Sequence, residues 1–168
     1  LGAAEKLAKG ADNKWLVDII FRDALWICYD WDRLDLYKTY LEKRMAYRTE
    51  SKQGTESLNK AYQFLYLGLL DVRMGKPEEA KKKLEAILAQ AASVEGKEKE
   101  FNELAANQLK REILFAQGAY DAALKAFREA PPIQIDLSAA PTVQGKNLPF
   151  GADFAARVHL AKGEKDAA

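Results

Sequence analysis

Met74-Gly75-Lys76-Pro77-Glu78-Glu79-Ala80 is the stretch on which the fold turns. Gly75 is the residue type that ends a helix in a left-handed conformation, and Pro77 suits the first turn of the next one. Glu78 and Glu79 then sit at the positive end of that helix, four residues before Lys82 and Lys83. Beyond the turn, Ala80, Leu84, Ile87, Leu88 and Ala91 recur with helical period and mark a core-facing stripe. The stretch predicts two helices joined by a tight turn.

Two further stretches repeat it. Residues 117–123 read Gln-Gly-Ala-Tyr-Asp-Ala-Ala, and residues 162–168 read Lys-Gly-Glu-Lys-Asp-Ala-Ala. Each has Gly, then Ala five positions later, with an acidic residue between. A small side chain at that position lets two packed helices approach closely where they cross. A weaker copy, Tyr29-Asp30-Trp31-Asp32-Arg33-Leu34, has no glycine and puts Leu34 at the crossing. On this reading the crossing positions Leu34, Ala80, Ala123 and Ala168 are spaced by 46, 43 and 45 residues.

Outward from these turns, every patterned segment has helical period. Helices are predicted near 1–9, 14–29, 33–50, 56–74, 77–93, 98–117, 120–130 and 151–162. Residues 131–149, with Pro131, Pro132, Pro141, Gly145 and Pro149, read as a long irregular connection. Ile133 to Leu137 alternates apolar and polar but is short and flanked by prolines, so the predicted class is all-α.

Composition sets the functional bounds. At 168 residues, 48% hydrophobic and 30% charged, the chain is one ordinary globular domain. A net charge of +1 gives no electrostatic footprint for nucleic acid. No run of about 18 apolar residues is present to cross a membrane, and no signal-peptide pattern opens the chain, which leaves localisation unassigned. The single cysteine, Cys28, and single histidine, His159, are too few for a structural zinc site, which takes four ligands. Cys28 reads as a small buried residue and His159 as a structural one. Gly-x-x-x-x-Gly-Lys-Ser/Thr, Gly-x-Gly-x-x-Gly, Gly-x-Ser-x-Gly and His-Glu-x-x-His are all absent. No catalytic, cofactor or metal residue is therefore expected, and the chain reads as a non-enzyme.

The three turns resemble the tetratricopeptide repeat. Between residues 61 and 94, Phe64 matches the large first-helix position and Leu67-Gly68 the Leu-Gly pair. Gly75, Ala80, Leu84 and Ile87 match the turn, the crossing and the second-helix core. The copy at 98–130 keeps Tyr120, Ala123, Phe127 and Ala130, but has Lys110-Arg111 where Leu-Gly would stand. A partial copy covers 149–168 and a weak one 15–50. The spacing is longer than the family's 34 residues. Ala116–Pro132, Asn147–Phe150 and Ala155–Ala168 are similar to the repeat region of bacterial multidomain signalling proteins. The resemblance implies a right-handed superhelix of antiparallel helix pairs in one continuous domain over 1–168, a piece of a longer array.

It also implies a function. The concave face of such an array, lined by the first helix of each pair, holds a peptide or a partner's helix. Carried onto this chain, that face takes Trp26, Tyr62, Arg73, Gln108, Glu112, Phe115, Asp153 and Arg157, a mixture of aromatics and both charge signs. Trp26 reads equally as packing, and Tyr62 shares a stripe with Leu65 and Leu69 that reads as inter-repeat core as well as groove. The expected function is a protein-interaction scaffold for a protein or peptide partner. The alternative is a regulatory module that self-associates or packs on a linked domain. The connection 131–149 is a further occupant for the concave face.

Overall fold

The computed structural model describes residues 13–130 and 153–167, together with Gly2, Lys6 and Gly10. The predicted connection 131–149 and most of the predicted helix 1–9 lie outside the described residues. Among the described residues the chain is all-helical, with no strand. The helices are α1 (Lys14–Asp30), α2 (Leu34–Glu50), α3 (Glu56–Arg73), α4 (Pro77–Ala92), α5 (Gly96–Ala116), α6 (Tyr120–Glu129) and α7 (Phe154–Lys162). A 3-10 turn, Lys165–Ala167, follows α7. The chain divides into two compact units, Leu1–Asn59 and Lys60–Ala168.

One backbone device closes α1, α3, α5 and α7, and it recurs after α2, where Lys52 takes a φ of 54° and Gln53 N–H bonds to Arg48 O at 2.9 Å. After each of the first four, a residue takes positive φ: Asp32 (56°), Gly75 (69°), Gly118 (73°) and Gly163 (80°). The N–H of the residue after it reaches back to the helix: Arg33 to Cys28 O, Lys76 to Asp71 O, Ala119 to Leu114 O and Glu164 to His159 O, at 2.8–2.9 Å. The positive-φ residue itself donates to Tyr29, Val72, Phe115 and Leu160 carbonyls at 3.0–3.2 Å. These paired bonds satisfy carbonyls that a helix end otherwise leaves unmet.

This geometry corrects the weak first copy. Asp32, not a missing glycine, holds the left-handed position, a conformation aspartate tolerates better than most residues. The residue five places on is Tyr37, fully buried, while Leu34 is only half-buried. The turn positions Asp32, Gly75 and Gly118 are then 43 residues apart in both steps, and Gly163 follows after 45. Ala80 and Ala123, five residues after their glycines, are fully buried, as the small-residue crossing requires.

In the first unit, α1 and α2 pack around Val17 and Phe21, with Ile20, Tyr40 and Tyr47 against them. Tyr37, Leu41, Arg44 and Arg48 form the buried column of α2 at i, i+4, i+7 and i+11. Two arginines in that column meet Asp18 of α1. Arg44 donates two hydrogen bonds to its carboxylate at 2.9 and 3.0 Å, and Arg48 a third at 3.0 Å. Arg48 also donates to Asn59 Oδ1 at 2.7 Å. Burial acts to raise the Asp18 pKa, but the two guanidiniums outweigh it and hold the carboxyl below its ordinary value.

In the second unit, α3 lies beside α5. Tyr62 meets Phe101 with ring centroids 4.6 Å apart, and further along both helices Gly68 meets Leu109. A Cβ on Gly68 would fall 2.5 Å from Leu109 Cδ2, so the bare backbone of α3 sets this approach. Asp71 of α3 pairs with Lys83 of α4. A second core joins Ala123 and Leu124 of α6 to Phe154 and Val158 of α7.

Candidate functional site

One column of α5 gathers three of the eight residues expected to meet a partner. Phe101, Gln108, Glu112 and Phe115 follow at i, i+7, i+11 and i+14, and so share one helix face over about 21 Å at 1.5 Å per residue. At the N-terminal end of the column, Tyr62 packs on Phe101 and stacks on Tyr66, 6.1 Å between centroids. At the C-terminal end stands α7.

There Arg157 donates to both oxygens of Glu112, at 2.7 and 3.3 Å, and lies 3.1 Å from Asp153 Oδ2. Its guanidinium also lies over Phe115 and Phe154, 5.5 and 5.2 Å from the ring centroids. Glu112, Phe115, Asp153 and Arg157 are thus one cluster. Asp153 and part of Arg157 reach the surface, whereas Glu112 is buried.

Burial lifts the Glu112 carboxyl above its ordinary value, with the hydrogen bonds and charge of Arg157 opposing. The cluster includes Arg111, which the sequence patterns do not single out. It is buried against Phe127 and Phe154, 5.4 and 5.2 Å from their centroids. Burial lowers its pKa, but a guanidinium stays charged at any ordinary pH. Phe154 therefore has two arginines against it, an attraction worth roughly 2 kcal/mol each where water is excluded.

A signal for Arg111 is nonetheless present in the sequence. It stands 43 residues after Gly68, at the position where the Leu-Gly pair is replaced by Lys110-Arg111. Gly68 receives Leu109 from the following pair, and Arg111 receives Phe154. The same inter-helix contact is made by close backbone approach in one case and by cation and ring in the next.

The other expected residues lie elsewhere. Trp26 is 8% exposed and belongs to the first unit, where it packs. Leu65 and Leu69 of α3 are buried, while Tyr62 on the same stripe is half-buried at the end of the α5 column. Arg73 is exposed at the end of α3. Cys28 is buried, and burial pushes its thiol up, away from the reactive thiolate. His159 Nδ1 lies 2.7 Å from Glu164, which also meets Lys162 at 2.8 Å. No helix among the described residues is long and apolar enough to cross a membrane. No group of three or more His, Cys, Asp or Glu among them could hold a metal ion.

These groups are charge-paired among themselves. The arrangement can orient side chains and present a rim of mixed polarity. No family model, curated protein or solved structure matches the chain.

Proposed function

We propose that the chain is a tetratricopeptide-like binding scaffold, and that the α5 column with its flanks on α3 and α7 is where a peptide or partner helix docks. The observation that carries this reading is that the turns after α1, α3 and α5 recur every 43 residues with a fully buried residue five places on, Tyr37, Ala80 and Ala123, which the turn at Lys52 lacks. Repetition at fixed spacing with a stereotyped turn is how helical-repeat arrays extend a binding surface. The parallel run of α3 beside α5 supports it, because first helices lining a common face must lie side by side. A cluster of paired charges and rings supports binding rather than catalysis.

Within the second unit the face has an aromatic end at Tyr62 and Phe101, a polar middle at Gln108, and a charged end at Asp153 and Arg157. Such a surface suits an extended or helical peptide with one apolar anchor and a charged group about 20 Å away.

Selection of a random peptide library on the full chain tests the reading. A consensus sequence should emerge, and Gln108→Ala and Asp153→Ala should each weaken its binding at least tenfold. Lys38→Ala, exposed on α2, should leave it unchanged. Failure to enrich any consensus, or equal effects from all three substitutions, would overturn the proposed face.

A further inference from the structure

The first unit carries an apolar column that its own core leaves partly uncovered. On α1, beside the buried Val17 and Phe21, run Leu16, Ile20, Asp23 and Ile27, and Trp31 continues the column just past the helix end. Ile20 touches the core from the edge of this column. Trp31 is 77% exposed, Ile27 41% and Leu16 37%. Helix faces in contact with water are ordinarily polar, so a column of this kind marks an interaction surface.

The order of the column says what fits it. Leu16 and Ile20 stand on one side of the helix midpoint, and Ile27 and Trp31 on the other at matching distances. A second α1 laid antiparallel across the first therefore sets Ile20 against Ile27 and Leu16 against Trp31, twice over. The single charged residue in the column is Asp23, next to the midpoint. It is already engaged by Arg22, which donates two hydrogen bonds to it at 3.1 and 3.2 Å. A two-fold axis there brings together two Arg22–Asp23 pairs, each able to answer the other's charge. This is the self-complementarity an isologous dimer needs, with residue i against j and j against i.

We propose that a second copy of this chain occupies the face, through an antiparallel α1–α1 contact about a two-fold axis beside Asp23. This surface is distinct from the α5 column, and the inference does not depend on the binding role proposed there. The contact is small. One 17-residue helix offers about 25 Å of length, and the exposed Trp31 ring adds no more than about 200 Å². The area per partner falls below the roughly 800 Å² of a standard interface, so the dimer belongs to the weak class that exchanges with monomer.

The test is sedimentation equilibrium of the full chain over a concentration range from low micromolar to several hundred micromolar. The mass should rise from one chain toward two. Ile27→Glu and, separately, Trp31→Glu should weaken association at least tenfold while leaving the helical circular dichroism unchanged, because both side chains are exposed in the single chain. Disulfide trapping then reads the geometry. Asp23→Cys should cross-link to itself at least ten times faster than Leu16→Cys, whose two copies would stand about 22 Å apart. Leu16→Cys mixed with Trp31→Cys should form the heterodisulfide; Cys28 is buried and does not compete. A chain that stays monomeric throughout the range, a dimer indifferent to both glutamates, or equal self-trapping of the Asp23→Cys and Leu16→Cys variants would each overturn the proposal.

Discussion

Two positions show how one repeated geometry is met by different side chains. Gly75 and Gly118 take positive φ without penalty, whereas Asp32 takes it at a cost of about 1–2 kcal/mol, partly offset by the lower chain entropy a non-glycine residue gives up on folding. Gly75→Asp should therefore lower stability by about 1 kcal/mol. Asp32→Gly should change it by less than about 1 kcal/mol, because relief of strain is set against lost polar contacts and a more flexible unfolded chain. Urea midpoints of the two variants measure the asymmetry. Gly68 is constrained differently, by the space on its flank. A methyl there gains about 1 kcal/mol of helix propensity but strikes the buried Leu109 side chain, with overpacking costs of about 1–3 kcal/mol. Gly68→Ala should thus destabilise by up to about 2 kcal/mol, and Leu109→Val in the same chain should recover part of the loss. Additive losses in that double mutant would show that the two residues do not share the contact.

At the scale of elements, α7 is the informative case. Its nine residues are too few to form a stable helix alone, so its order rests on Phe154, Val158 and the Arg157–Glu112 pair. Phe154→Ala removes the ring shared by two arginines and should cost about 3–5 kcal/mol. Hydrogen exchange should show lost protection in α7 first, with amides of α3 and α4 still protected. Uniform loss across α3 to α7 would instead mean that the unit opens as one. Helix positions are readable from sequence because their ends are written locally: Asn13 caps α1, Pro77 opens α4, and Gly75, Gly118 and Gly163 close three helices, with boundaries met within about three residues. The register of the first turn is not readable, since its left-handed residue is not a glycine. Two of the buried arginines are not readable either. Arg44 and Arg48 are of a type that sequence patterns assign to solvent, and only the Asp18 carboxylate brought to them by α1 makes their burial tolerable. Of the expected binding residues, the four that cluster at α5 and α7 follow from repeat alignment, whereas Trp26 is an aromatic whose apolar bulk is used for packing.

At the scale of the whole molecule, the two units should respond to acid in opposite senses. In the first, Asp18 is the carboxylate shared by two buried arginines, and its pKa in the folded state lies below the unfolded value of about 3.9. That contribution to stability is complete above the unfolded pKa and is lost as pH falls through the folded one. In the second, burial raises the Glu112 pKa above about 4.3, so its charged form weakens the fold at neutral pH. Lowering pH through the raised value relieves that cost, and the second unit gains stability. The chain separates the two signals, because its tryptophans, Trp15, Trp26 and Trp31, all belong to the first unit. On acid titration, tryptophan fluorescence should report loss of the first unit below about pH 3.9, while amide protection of α4 and α5 in the second rises as pH is lowered from neutral toward the ordinary glutamate range. Asp18→Asn should destabilise the first unit at pH 7 by about 3–5 kcal/mol, since it strands two buried guanidiniums, and should flatten its acid transition. Glu112→Gln should abolish that gain in α4 and α5 protection and leave the fluorescence transition where it was. A single pH at which both signals collapse together, unmoved by either substitution, would show that neither buried carboxylate governs the acid response of its unit.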